Sequence, residues 1–341
     1  MKTTIFLVRH AEAEGNLCRR MHGQYNSNLT ARGLRQLVDL QKRFEQIPVD
    51  ACYSSDLVRA ANTAMAICTP HGLEYRVDPG FREVCIGIWE DVSFGYLNTF
   101  HGLKMIQFGR DQVNWVVEGS ETYQQYTTRF LESMESAALR HEGGSIAIVS
   151  HSIVMKAVLK KLFPDERIPH SANTAVSCLE YEDGKFSMVY FNDSSHMDAS
   201  LYTSSRQKWW QQPGAQREDT FWFREGWTDV GIDAPHSPLV LTVMEDQKPV
   251  GLICMTEESD EDGVVDFLGL IPEYRGYDLS IQLFGKAISV MRARGKSWLT
   301  VRMMTDNYVH KLCTKLVCVP LSETEAKIDL RLQIRPYGHL A

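Results

Sequence analysis

The sequence predicts an α/β protein in two parts: a parallel sheet covered by helices, followed by a smaller α+β unit. Three observations carry this. Strand and helix signals alternate through the first half, as parallel strands joined by helical crossovers demand. The apolar runs beginning at Ile5 and Ile146 each stop abruptly beside a histidine, His10 and His151. The chain has 341 residues, and a prior of roughly 150 residues per domain makes that two domains, each able to bury its own core.

Composition removes several classes of function. The net charge is -7, from 36 Lys and Arg against 43 Asp and Glu, and no basic stripe runs along the chain, which argues against nucleic acid as a partner. The apolar stretch at the start is too short for a signal peptide and no run approaches a membrane span, so a cytoplasmic protein is expected. Eight cysteines without a Cys-x-x-Cys pair fit reduced core thiols, not a disulfide framework or a zinc site, and no metal is expected.

The elements follow in order. Thr3–Val8 is a strand. Thr30 caps a helix whose apolar face is Leu34, Leu37, Val38, Leu40 and Phe44, and Pro48 stops it. Val49–Tyr53 is a short strand. Ser54, Ser55 and Asp56 then cap a helix carrying Leu57, Val58, Ala61, Ala64, Met65 and Ile67, with Arg59 on its first turn. A helix from roughly Thr122 to Arg140 leads through Gly143 and Gly144 into the strand that ends at His151. Ligands of open α/β sheets gather at the carboxyl ends of strands, so His10, Ser54, Ser55 and His151 are expected to share one crevice.

An arginine beside an imidazole at a strand end, Arg9 and His10, is what capture of a phosphoryl group and in-line attack on it require. The second strand repeats the design with Ser150, His151 and Ser152. The segments LVRHAEAEGN, HGQYNSNLTARG, SSDLVRAANTA, FREVCIGIWED and SHS, in that order over about residues 1–198, resemble the histidine phosphatase superfamily. That resemblance implies the phosphoglycerate mutase-like three-layer α/β/α fold and a small phosphorylated metabolite as substrate. His10 would attack phosphorus from a neutral ring, forming a phosphohistidine that water hydrolyses. Arg9, Arg59 and His151 would supply the positive surroundings, Asn16 a neutral donor, and His22 and Gly23 the substrate loop. Glu83 stands at the general-acid position and needs a raised pKa to donate. No cofactor is implied. His71, His101, His141 and His170 have no comparable setting and are taken as ordinary loop or helix histidines.

Phosphoglycerate mutases share the phosphohistidine but return the phosphate to product. The segment between Glu83 and Thr122 is rich in aromatics (Trp89, Phe94, Tyr96, Phe100, Phe108 and Trp115) and lacks the basic cluster that a bisphosphorylated intermediate favours. Ala11 follows His10 where mutases usually carry Gly. Both points favour hydrolysis.

Polar residues from Asp198 and the Gln211–Ala215 segment mark a connector, dividing the chain into residues 1–198, a linker over 199–217, and residues 218–341. Adjacent Trp209 and Trp210 are costly to leave in water, so the connector is expected to dock on a domain. Beyond it, Leu239–Val243, Pro249–Met255 and Val264–Leu270 read as strands, with the acidic Glu257–Asp262 as a solvated hairpin tip. The Leu270–Ser280 turn enters a helix with Leu283, Ala287, Ile288 and Met291. It resembles the pyrophosphate-binding turn of GNAT N-acetyltransferases, and Asn307–Cys318 resembles their final helix. This implies a GNAT-like α+β domain that holds acetyl-coenzyme A (acetyl-CoA) through Leu270, Arg275 and Gly276. Three features depart from that family: Asp278 replaces a second glycine, Cys313 aligns with the usual tyrosine, and the stretch from Phe223 to Leu239 is too short for a pair of helices. A working transferase and an interaction module both remain open.

Overall fold

The computed structural model describes residues 1–203, 221–275, 279–304, 308–323 and 327–335. Trp209, Trp210, the Gln211–Ala215 segment, Gly276, Asp278 and Asn307 lie outside the described residues. In chain order the first half runs β1 (Thr3–Arg9), α1 (Glu14–Leu17), α2 (Ala31–Phe44), β2 (Ala51–Ser54), α3 (Val58–Cys68) and β3 (Tyr75–Val77). It continues with α4 (Phe94–Arg110), α5 (Tyr123–Leu139), β4 (Ser145–Ser150), α6 (Ser152–Leu162), β5 (Val176–Glu182) and β6 (Lys185–Asp193).

The six strands are ordered β3-β2-β4-β1-β5-β6. Strands β1 to β4 are parallel, as the alternation of elements predicts. The expected parallel sheet is corrected at one edge, where β5 runs antiparallel to β1 and pairs with β6 across a tight hairpin. Asp183 and Gly184 both take positive φ there, 50° and 79°, the conformation a two-residue hairpin turn requires.

Side-chain alternation along the strands builds three layers. Ile5, Leu7, Ile146 and Ile148 face α5 and α6 in a core with Phe130, Met134, Val154 and Val158. Their neighbours Val8, Ala147 and Val149 face α2 and α3, against Leu40, Phe44, Ala64 and Ile67.

Helix α2 corrects its predicted apolar face. Leu34 and Val38 are exposed, whereas Arg32 and Gln36 are buried. The reason lies in Glu12, a buried carboxylate on the loop after β1 that Arg32 and Thr30 hold, while Gln36 Oε1 accepts from Glu12 N. Satisfying a buried charge overrides the hydrophobic period. In α3, Ser54, Ser55 and Asp56 do not cap the helix as expected. Ser55 accepts from Leu57 N, but the first helical N–H, of Val58, goes to Asn26 of the loop after α1.

The second half runs β7 (Phe221–Glu225), β8 (Leu239–Glu245), β9 (Lys248–Glu257), β10 (Asp262–Leu270), α7 (Ser280–Ala293), β11 (Trp298–Met304), α8 (Tyr308–Cys313), β12 (Val319–Glu323) and β13 (Lys327–Gln333). Its seven strands are ordered β12-β13-β11-β10-β9-β8-β7. The pairing of β10 with β11 is parallel, covers only Asp262–Val265 against Trp298–Val301, and stops at an irregularity between Val265 and Phe267. Helix α7 packs Leu283, Phe284, Ala287, Ile288 and Met291 on this sheet. No helix occupies residues 226–238, as the short spacing implied. The acidic Glu257–Asp262 tip is not simply solvated: Glu257 pairs with Arg294 and Lys296, Glu258 with Arg302, and Asp262 with Arg331. Among the described residues no helix is long and apolar enough to cross a membrane, and no His, Cys, Asp and Glu cluster could hold a metal.

Gly33 shows how tightly the loop after β1 is held, because a Cβ there would lie 2.1 Å from Glu12 O. Gly33→Ala would gain about 1 kcal/mol of helix propensity but force a backbone shift at the upper end of ~1–3 kcal/mol. A lower urea midpoint is therefore expected; an unchanged or raised midpoint would show that the loop yields freely.

Candidate active site

Strand register explains why two histidines far apart in sequence meet. β1 and β4 pair residue for residue up to Arg9 opposite Ser150, so the next position on each strand is a histidine, and their ring centroids lie 5.1 Å apart. His10 N donates to Ser150 O at 2.9 Å, and His10 O accepts from Asn173 Nδ2 at 2.9 Å, which fixes the backbone at both ends. His10 Nδ1 lies 2.7 Å from Ala11 O. A carbonyl can only accept, so the ring proton sits on Nδ1 and Nε2 carries the lone pair. Burial, then the nearby Arg59 charge, holds both His10 and His151 well below the ordinary imidazole range. Neither ring nitrogen of His151 has a hydrogen-bond partner, although the residue is fully buried.

Arg59 projects from the first turn of α3 and is fully buried. Its Nη1 donates to Tyr25 O at 2.9 Å and its Nη2 to Gly23 O at 2.8 Å, while Nε has no partner. Gly23 makes this approach feasible: its φ is +53°, and a Cβ would lie 2.6 Å from Glu90 Oε1. Arg9 Nη1 donates to Ser171 O, and its Nε is likewise unpartnered. Burial pushes both guanidinium groups down to about 10, so both stay cationic near neutrality.

Glu83 lies over the start of α6. Its Oε1 accepts from Val154 N at 2.9 Å and Val84 N at 3.0 Å, and its Oε2 from Ile153 N at 3.1 Å. These donors favour the carboxylate, but burial outweighs them and raises the pKa above the usual glutamate value. Arg82 does not neutralise it, because that side chain pairs with Asp56. Arg129 and Gln24 hold the Glu83 carbonyl instead, at 2.9 Å each.

His22 lies edge-on to His10, ring centroids 6.1 Å apart, and its Nε2 accepts from Gly15 N at 3.1 Å. Asn16 Oδ1 accepts from Ala13 N, so only its amide nitrogen can serve as a donor. The fold thus brings Arg9, His10, His22, Gly23, Arg59 and His151 close together, with Glu83 near enough to Arg9 and Arg59 to act on their charge. Ser54 Oγ donates to Ser55 O, and Ser55 Oγ accepts from Leu57 N, so both hydroxyls are engaged with the backbone.

Sequence reasoning missed Asn26, Tyr25, Ser171 and Asn173, which act through backbone groups and carry no local signal. His170, taken as an ordinary loop residue, adjoins the site: it lies 3.5 Å from Ser152 Oγ and 3.3 Å from Lys156 Nζ, and burial pushes it down to about 4. In the second half Arg275 Nε donates to Leu270 O at 2.9 Å, closing the turn before α7. Leu270 is buried, and Gly276 lies outside the described residues. Cys313, aligned with a general acid, is fully buried in the apolar core with Leu312 and Leu316.

A neutral imidazole at the end of a parallel strand, beside two buried guanidinium groups that each keep one unpartnered N–H, defines a phosphoryl-transfer type of site. Residues 5–194 match the model of the Histidine phosphatase superfamily (branch 1), and the chain belongs to that superfamily. Residues 200–316 match that of the Acetyltransferase (GNAT) family, so the two are fused in one chain. A metal-independent phosphoserine phosphatase of Arabidopsis thaliana is 28% identical over 208 residues, covering 58% of this chain and 84% of the relative. A probable phosphoglycerate mutase, GpmB, of Escherichia coli O1:K1 is 27% identical, covering 57% of this chain and 95% of its own. The solved structure of Bacillus stearothermophilus YhfR superposes with a TM-score of 0.55 at 29% identity, over 57% of this chain and all of that one. The fold of the first half is therefore phosphoglycerate mutase-like, and the second sheet fits a GNAT domain.

Arg59→Met removes one charged donor from the cavity. Calorimetric titration with inorganic phosphate is expected to show affinity reduced about tenfold to a hundredfold, one charged hydrogen bond being worth ~1.5–3 kcal/mol. Unchanged affinity would place the anion elsewhere.

Proposed function

We propose that the first half of the chain hydrolyses a small phosphorylated metabolite through a phosphohistidine on His10. The observation that carries this reading is the His10 tautomer: with Nδ1–H tied to Ala11 O, Nε2 is a neutral nucleophile, and the charges of buried Arg59 and of Arg9 lie close by. Arg9, Arg59 and His151 hold the phosphate dianion, with Asn16, His22 and Gly23 lining the loop beside it. Nε2 attacks phosphorus as the ester P–O bond breaks, and the leaving alkoxide takes the Glu83 proton. Water then attacks the phosphohistidine, the P–N bond breaks, and Glu83 takes a proton from the water. Inorganic phosphate leaves with His10 and Glu83 restored. No metal or cofactor takes part, since the guanidinium groups supply the positive charge. The division at 1–198, 199–217 and 218–341 belongs to the same reading. Hydrolysis is preferred to mutase transfer because Ala11 stands where mutases usually carry Gly and the aromatic stretch from Trp89 to Trp115 lacks a basic cluster for a second phosphate. Efficient isomerisation of 3-phosphoglycerate without phosphate release would reverse that preference.

Glu83→Gln should slow an alkyl phosphate about 10²–10⁴-fold, the usual worth of general acid catalysis, and p-nitrophenyl phosphate far less. The pH profile follows from the two shifts. Glu83 must be protonated, so the alkyl rate declines as pH rises through its elevated pKa. His10 must be neutral, so the acid limb begins below the ordinary imidazole pKa of about 6.5. Unchanged alkyl turnover in Glu83→Gln would remove Glu83 from this role.

A second reading concerns residues 218–341. The family match and the parting of β10 from β11 after Val265 and Val301 favour a pocket for acetyl-CoA beside the Leu270–Arg275 turn. The buried Cys313 and the helix-free 226–238 stretch favour binding without transfer. Calorimetry with acetyl-CoA decides: saturable heat supports the pocket, and none at millimolar ligand leaves an interaction module.

A further inference from the structure

The loop that carries Gly23 and Tyr25 has the phosphatase cavity on one side and the second half of the chain on the other. Helix α7 packs directly on it. Gly285 is so close that a Cβ would lie 2.4 Å from Cys18 Cβ, and Cys18 belongs to the apolar core of the second half. Arg20 Nη1 donates to Gly285 O at 3.2 Å, and Asn28 Nδ2 to Gln333 O at 3.0 Å.

Four charges are shut into this contact. Arg20 pairs with Asp91 at 2.7 Å, Arg292 of α7 with Asp91 at 3.3 Å, and Arg292 also with Glu14. Two cations face two carboxylates, and all four side chains are at most 20% exposed. Arg292 is further fixed by Nε, which donates to Ile334 O at 2.9 Å.

Tyr25 joins this network to the cavity. The Arg292 guanidinium lies 5.2 Å from the Tyr25 ring centroid, while the Tyr25 carbonyl accepts Arg59 Nη1. The Tyr25 hydroxyl is buried without a partner, so packing between Arg292 and the His22 ring, whose centroid lies 5.2 Å away, rather than a hydrogen bond, sets where the ring sits. Glu14, the other partner of Arg292, precedes Gly15, whose N–H donates to His22 Nε2. One side chain from the second half thus holds both ends of the loop that orients Arg59 and His22.

We infer that Arg292 is a positioning residue of the phosphatase site, so that the catalytic cavity is composite and the second half of the chain completes it. This rests on the phosphatase reading above. It also gives the fused module a physical task that does not depend on acetyl-CoA.

The test uses the full-length protein and compares Arg292→Met, Arg292→Lys and Arg294→Met. Arg294 ends the same helix but pairs with Glu257, away from the loop, and serves as the control. Steady-state kinetics with p-nitrophenyl phosphate and competitive inhibition by inorganic phosphate are read well below the melting transition, with circular dichroism confirming the fold. Arg292→Met is expected to lower kcat/KM about tenfold to a hundredfold, the size expected when a catalytic group is misplaced by ~1 Å. Phosphate inhibition should weaken in parallel, Arg292→Lys should recover part of both, and Arg294→Met should match wild type. A purely structural role would lower the melting temperature while leaving kcat, KM and phosphate inhibition of the folded enzyme unchanged, and that result overturns the inference. If the unpaired Glu14 carboxylate prevents Arg292→Met from folding, the double variant Glu14→Gln with Arg292→Met removes both charges; wild-type kinetics in that protein overturn the inference equally. A wild-type protein that neither hydrolyses the ester nor binds phosphate removes the phosphatase reading itself, and this inference with it.

Discussion

Everything in the first half is arranged round positive charge that is buried without a counter-ion. Arg9 and Arg59 make no ion pair among the described residues; backbone carbonyls of Ser171, Gly23 and Tyr25 hold them, and the Nε of each has no hydrogen-bond partner. Removing a charge from water is expensive, and carbonyl dipoles only partly repay it. On the proposed reading, a dianion would meet the remainder. Burial first, and then the Arg59 charge, holds His10 and His151 below the ordinary imidazole range, as a neutral nucleophile would require, and burial raises Glu83, as a proton donor would require. On the proposed reading, a bound dianion would raise Glu83 further and draw His151 back up from its lowered value, so that substrate binding would itself prepare the acid.

The parts of this site legible in the sequence are those with a local cause. Apolar runs ending in Arg9-His10 and Ser150-His151 report strand ends, and identical register in parallel neighbours then brings the histidines together without further information. Arg59 was visible as a first-turn residue, and Glu83 through its place in the motif order. What could not be read are partners that act through backbone or across long separations. Asn173 binds a carbonyl 163 positions away, and Asn26 caps a helix it precedes by 32. The apolar face of α2 failed for a related reason: Leu34 and Val38 fit the period, but buried Glu12 needed Arg32, and the helix turned to supply it. The antiparallel edge was marked by Asp183-Gly184, a turn signal that the alternating pattern upstream overshadowed.

The second half shows where resemblance and chemistry separate. Its sheet order, single parallel pair and helix after the Leu270–Arg275 turn agree with a GNAT domain. Two positions depart from that family: Cys313 is buried in the core, and no helix lies between β7 and β8. Meanwhile Gly285 and Arg292 on α7, together with Phe221 against Gly95 and Trp222 against Phe100, bind this domain to the substrate loop and to α4 of the first. The features that join the two domains are well formed where those expected of a transferase are not.

Trapping of the covalent intermediate is the most direct measurement of the central claim. The full-length protein, mixed with a radiolabelled phosphomonoester and quenched rapidly in alkali, should carry an acid-labile, alkali-stable label on the peptide containing His10, and His10→Ala should carry none. Turnover that proceeds with no label, or with label on another residue, would contradict the assignment of His10 as the attacking group.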